Sequence, residues 1–268
     1  MKKVQNIVAG LFIVAISANC TNGTTKNQAK SAESSLATVA KENVNQDMAS
    51  VNHSAFDKLL KKNVSDKGKV DYAAFVKDKS ALEDYITSLT KINPAKLSKN
   101  EQTAYWINAY NASVIDKVVR NYPTKSILKI DGGKAFDAIL PNKFNGESLS
   151  LNDIEKKKLM GSLLIDGRIH FAVNCAAVSC PTLQNQAYTA ANIQSLLTSN
   201  TKAALNNPAF NKISSDKVLL SKLFDWYKAD FIKSEKSVEN FVNKYATTKI
   251  SKNTKIDYME YNWDLNSK

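Results

Sequence analysis

Apolar residues recur with helical spacing from position 51 onward. Phe56, Leu59 and Leu60 form one group and Phe75, Leu82, Ile86 and Leu89 another, before a break at Asn93-Pro94. Ser98-Lys99-Asn100-Glu101 has the spacing of a capping box, with the serine accepting from the backbone three residues on and the glutamate reaching back. It predicts a long helix from about Lys99 to Arg120, stopped before Tyr122-Pro123. Ile107, Tyr110, Val114, Ile115 and Val118 make its apolar side, which Asn108 and Asn111, three apart, border or enter. Asn145-Gly146, between Lys143-Phe144 and the alternating residues 147–151, predicts a tight hairpin. Residues 153–160, 190–205, 223–231 and 238–245 predict helices, and 217–220 and 255–261 strand-like segments, whereas 169–173 fits a strand or a buried helical turn. Together they predict one mostly helical α+β domain with a small antiparallel sheet and no internal repeat.

The first fifty residues follow a different pattern. Lys2 and Lys3 precede an apolar run from Ile7 to Ile16, too short for a bilayer span, which needs about 20 residues. Cys20 then resembles a bacterial lipoprotein cleavage site, although Ser17 and Asn19 stand where Leu and a small residue are usual. Residues 21–50 are polar, lack aromatic side chains and cannot bury enough surface to offset chain entropy. The expectation is a signal peptide over 1–19, a lipidated Cys20 with a flexible tether to 50, and a folded domain over 51–268. The alternative is an ordinary cleaved signal or an incidental cysteine. Lipidation predicts a membrane-anchored protein of the cell envelope, on its periplasmic or surface side.

Composition narrows the function classes. The 268 residues hold 8 Gly, 5 Pro, 3 Cys and 2 His, which excludes a collagen-like chain, a disulfide scaffold and a metal cluster built on several histidines. A net charge of +12 suggests nucleic acid until its source is counted: of 37 Lys plus Arg, only Arg120 and Arg168 are arginines. Readers of nucleic acid depend on arginine forks and on basic stripes interleaved with aromatics, and neither is present. No nucleic-acid partner is expected.

The scarce reactive residues gather in one place. Residues 166–181 contain Arg168, His170, Cys175 and Cys180. Three readings fit: a Cys/His nucleophile site, in which an imidazole activates a thiol; a structural Cys175–Cys180 disulfide formed on export; and a metal site, which lacks an evident fourth ligand. Cys180, in a turn before Pro181, is the preferred nucleophile, because Cys175 follows an apolar run. His53 has no acidic or thiol companion nearby in sequence and reads as a surface residue. Tyr105, Trp106 and Trp263 read as core anchors.

Three motifs carry a resemblance: residues 105–112 (Tyr-Trp-Ile-Asn-Ala-Tyr-Asn-Ala), then Arg168-Ile169-His170-Phe171-Ala172 with Asn174-Cys175 and Ser179-Cys180-Pro181, and finally residues 261–266. Over about Ser98 to Asn266 the chain resembles the family called domain of unknown function 547. The family pattern has a glutamate before its Trp-Ile-Asn segment, matched by Glu101. On the helix Glu101 shares a stripe with Asn108, with Asn111 nearby, suited to orienting a histidine or to bonding neighbouring loops. Some members are joined to glutaredoxin or DEP domains, which points toward thiol chemistry. The resulting expectation is a thiol-dependent hydrolase or acyl transferase using Cys180 or Cys175 and His170, with Glu101 and Asn108 in support. Arg168, Asn111 and Asn174 would bind a small molecule or peptide, and no cofactor or metal is called for. The competing expectation is a non-catalytic envelope binding module with the disulfide.

Overall fold

The central feature is a helix of 22 residues, Lys99–Arg120, opened by the Ser98 hydroxyl, which accepts the Glu101 N–H at 3.2 Å. In this computed structural model residues 50–163, 166–214, 217–252 and 254–268 are described, so the expected signal segment, Cys20 and most of the tether lie outside the described residues. The helix departs from the one-sided pattern expected of it: every residue from Thr103 to Val119 is buried. A helix enclosed on all sides must partner its own polar groups. It does so with Asn108 and Asn111 bonded to neighbouring loops, Asp116 to Arg120, and Lys117 to Asp131.

The amino-terminal helices Ser54–Asn63, Tyr72–Lys77 and Lys79–Thr90 pack on this centre through Phe56, Leu60, Phe75, Leu82, Ile86 and Leu89. His53, expected at the surface, is 3% exposed, its Nδ1 lying 2.7 Å from the Tyr85 hydroxyl. The spacing of sequence neighbours could not reveal this, because Tyr85 comes from another helix. The capping box is half formed: Glu101 accepts the Val51 N–H at 2.7 Å and thereby fastens the start of the domain.

Strands β1 (Ile139–Phe144) and β2 (Glu147–Ser150) form the expected antiparallel hairpin, with positive φ at Asn145 and Gly146 as a tight turn demands. Ser150 and Asp153 then form a reciprocal capping box that starts a short helical turn, Leu151–Asp153, running into a π-helix, Ile154–Leu163. The segment left open as strand or turn is a 3₁₀ helix, Gly167–Phe171, followed by the helix Ile193–Leu205.

The second sheet joins β3 (Lys212–Ile213), β4 (Val218–Leu220) and β5 (Ile256–Tyr258). β3 and β4 are antiparallel and β4 and β5 parallel, so beside the expected small antiparallel sheet, the β1–β2 hairpin, there is a second, mixed one. Between them the chain crosses over through helices Leu223–Trp226, Lys228–Glu235 and Val238–Tyr245, and a crossover of this kind returns the strand in the same direction. The expected continuous helix over 223–231 is interrupted at Tyr227. The fold is mostly helical α+β. Its apolar interior has two clusters, one around the long helix and one around Phe171, Phe224, Phe231 and Phe241. Ile169 belongs to the first and Phe171 to the second, so His170 sits at the seam.

Candidate functional site

Asparagine side chains build the scaffold of the site. Asn111 donates to the Ala172 carbonyl at 3.0 Å and accepts the Asn174 N–H at 2.8 Å, tying the long helix to the cysteine loop. Asn174 in turn donates to the Pro181 carbonyl at 2.8 Å and accepts from the Ala176 N–H, and Asn266 donates to it at 3.2 Å. Tyr72 closes the chain of contacts by donating to Asn266 at 2.9 Å. These bonds hold Ala176 at φ 62, a left-handed conformation costing a residue with a Cβ about 1 kcal/mol. The carboxy-terminal stretch also laces this loop, with Val178 N–H donating to Asp264 and Asn266 N–H to Ala176.

Cys175 and Cys180 are free thiols. The Cys180 sulfur is buried and accepts the Cys175 N–H at 3.0 Å, while the half-buried Cys175 sulfur lies 3.1 Å from the Tyr261 hydroxyl. Burial pushes the Cys175 thiol up, but hydrogen bonds from Cys180, Tyr261 and the Ala177 backbone outweigh it and bring it below the ordinary thiol value. Burial and the adjacent Cys175 push Cys180 well up. Burial also raises Tyr261, which therefore keeps its proton and has it available to donate to the sulfur. Cys180, preferred in the sequence for its place in a turn, is the buried sulfur of the two, and Cys175 is the more exposed.

His170 is 2% exposed and stacks on Tyr227 at 4.0 Å between ring centroids. Its Nε2 lies 3.2 Å from Asp230 Oδ2. Its Nδ1 is 3.4 Å from Glu155 Oε1, within ion-pair reach but without hydrogen-bond geometry. Burial pushes the imidazole down, and the two carboxylates outweigh it and lift it above the usual histidine value. The bond to His170 conversely holds Asp230 below the usual carboxylate value.

His170, Cys175 and Cys180 line one cavity of about 250 Å³ together with Glu155, Tyr110, Tyr227, Tyr261, Trp226 and Trp263. The imidazole nitrogens face carboxylates, so the two sulfurs and the histidine meet across the cavity and not as a hydrogen-bonded dyad. Glu155, Asp230 and Tyr227 had no signal in the sequence beyond their residue types, whereas Tyr261 opened the third motif of the resemblance with no role attached. Trp263, expected as a core anchor, is a partly buried wall of the cavity, whereas Tyr105 and Trp106 are core residues.

The remaining expected site residues have structural partners. Glu101 bonds Val51 at the entry to the long helix, and Asn108 clamps the Tyr188 backbone from both sides at 2.7 and 3.0 Å. Neither is among the cavity-lining residues. Arg168 makes a forked pair with Asp166 and also donates to Thr198 and Gln194. Among the described residues no group of three or more His, Cys, Asp or Glu side chains has the arrangement of a metal site.

Residues 94–203 match the family described as Protein of unknown function, DUF547. The chain carries a DUF547 domain. The matched range contains the long helix, the hairpin, Glu155, His170 and both cysteines, whereas Tyr227, Asp230, Tyr261 and Trp263 come from the chain beyond it. The matched segment therefore supplies nine of the fourteen described residues that line the cavity and the carboxy-terminal region the other five. No curated protein and no solved structure matches the chain.

Proposed function

We propose that this DUF547 protein is a thiol-dependent acyl hydrolase or acyl transferase, exported and lipid-anchored through Cys20, with Cys175 as nucleophile. The observation that carries the reading is the contact of the Cys175 sulfur with the Tyr261 hydroxyl on the wall of a cavity that His170 also lines. A thiolate held by several donors is the reactive form of cysteine, and a histidine raised by two carboxylates stores the proton that a leaving group needs.

The reaction runs in two steps. The Cys175 thiolate adds to the carbonyl carbon of a bound ester or amide; the C–S bond forms, the C–O or C–N bond breaks, and the leaving group takes a proton from protonated His170. Water, or an acceptor in a transferase, then gives its proton to His170 and adds to the thioester, and the C–S bond breaks to return the thiolate. Asp230 and Glu155 orient the imidazole and stabilise its charged form.

Export rests on the Lys2-Lys3 start and the apolar run before Cys20. No helix among the described residues is long and apolar enough to cross a membrane. Incorporation of a clickable palmitate analogue in cells, lost in Cys20→Ala, tests the anchor. For the chemistry, the folded protein is treated with iodoacetamide and its cysteines are mapped by mass spectrometry. One fast-alkylating residue, Cys175, is expected. Two sulfurs that titrate only after reduction would overturn the reading and favour a binding module with a Cys175–Cys180 disulfide.

A further inference from the structure

The walls of the cavity carry a charge pattern opposite to that of the chain. Although the protein has 37 Lys plus Arg against 25 Asp plus Glu, no lysine or arginine is found among the described residues that line the cavity. Its carboxylate side chains are Glu155, deep inside and 4% exposed, and Asp137 at the rim, with His170 beside them. The positive charge of His170 is already shared between Glu155 and Asp230 outside the cavity wall, so the enclosed space is negative on balance. The three tyrosines that face it, Tyr110, Tyr227 and Tyr261, are all raised by burial and add hydroxyls without charge.

The other wall is aromatic. Trp226, Tyr261 and Trp263 form a triangle with ring centroids 4.8, 4.7 and 5.8 Å apart, and Phe136 adjoins Trp263 at 6.1 Å. Trp226 remains 45% exposed, unusual for so large an apolar surface unless something covers it. Indole and phenol rings attract organic cations through their negative faces, and nearby carboxylates supply the countercharge. An anionic ligand would meet Glu155 and Asp137 with no lysine or arginine to offset them and with His170 already engaged by two carboxylates, a mismatch that acts against it while the rings select a cation.

We infer that the cavity takes a substrate carrying an organic cation, an ammonium or quaternary ammonium group, seated against Trp226, Tyr261 and Trp263 with Glu155 and Asp137 as its countercharges. This assignment rests on the reading of the cavity as the substrate site and names the class of substrate: an ester or amide bearing a cationic amine near its acyl bond. Bound this way, the cation occupies the aromatic mouth while the acyl group lies toward Cys175.

The test is a tryptophan-fluorescence titration of the intact protein with three probes that share a trimethyl head: choline, its uncharged carbon isostere dimethylbutanol, and the anion pivalate. Choline is expected to bind at least about tenfold more tightly than dimethylbutanol, with no saturable response to pivalate. Trp226→Ala, at an exposed position that leaves the core intact, is expected to weaken choline about tenfold, and Glu155→Gln to do the same. Equal binding of choline and its uncharged isostere, tighter binding of pivalate, or no saturable binding of choline overturns the inference. The same titration set beside Cys175 alkylation, both on the unsubstituted protein, separates the two proposals. Fast alkylation of Cys175 without choline binding removes the cation site and leaves the thiol reading standing, whereas choline binding by a protein whose Cys175 is inert does the reverse.

Discussion

The Tyr261 hydroxyl lies 3.1 Å from the Cys175 sulfur across 86 residues of sequence. A phenol that keeps its proton is a donor to this sulfur, and a donor favours thiolate over thiol. Tyr261→Phe keeps the ring and removes the donor. The midpoint of the pH dependence of Cys175 alkylation is expected to move upward, and the rate at neutral pH to fall about tenfold, the equivalent of one hydrogen bond to a charged group. An unchanged profile would show that the hydroxyl does not act on the sulfur.

The two histidines are buried in contrasting surroundings. Among the described residues His53 has the Tyr85 hydroxyl as its side-chain hydrogen-bond partner, and burial lowers it from 6.5 to about 4. The unfolded chain therefore binds a proton here at a pH where the folded protein does not. Stability contributed by the neutral ring is complete above 6.5 and is lost as the pH falls toward 4, by about 3 kcal/mol. Urea denaturation at a series of pH values should show this slope, and His53→Gln should flatten it.

His170 has the opposite sign. Because its folded value is raised, its interactions stabilise the protein below the unfolded value near 6.5, and that stability is lost as the pH rises through the folded value. Asp230→Asn and Glu155→Gln should each lower the imidazole titration followed by NMR, since each removes a charge that favours the protonated ring. A variant that leaves the titration in place would exclude that carboxylate as a partner.

Asn111 serves two buried backbone groups at once, the Ala172 carbonyl and the Asn174 N–H. Asn111→Ala leaves both unpaired, and a cost of about 3 kcal/mol follows from the desolvation of two orphaned groups. The shift in the urea midpoint measures it. The displaced loop should also slow alkylation of Cys175, because Asn174 and Cys175 are neighbours on the segment that Asn111 holds.

Asn108 separates a structural role from a catalytic one. Both of its amide atoms are engaged by Tyr188, so Asn108→Ala should destabilise the fold while leaving the pH dependence of Cys175 alkylation unaltered in the protein that remains folded. A shifted profile at constant stability would assign Asn108 to the chemistry instead.

Local signals in the chain were enough to locate the elements that the site is built on. Ser98 and the break at Tyr122-Pro123 delimited the long helix, and Asn145-Gly146 set the hairpin turn, because capping and turn conformations depend on a few adjacent residues. The same was true of the concentration of His170, Cys175 and Cys180 in one short stretch, and the motif order pointed to the family matched over 94–203. What those residues touch was decided only by the tertiary structure. Glu155 arrives on a π-helix, Asp230 and Tyr227 from the crossover between two parallel strands, and Tyr261 from the carboxy-terminal stretch. Periodicity reports which face of an element turns inward, but the thiol and imidazole values depend on charges and donors a few ångströms away in space. Those neighbours are chosen by packing between segments distant along the chain, which is why Cys180, placed in a turn, is the buried sulfur and Cys175, after an apolar run, the more exposed one.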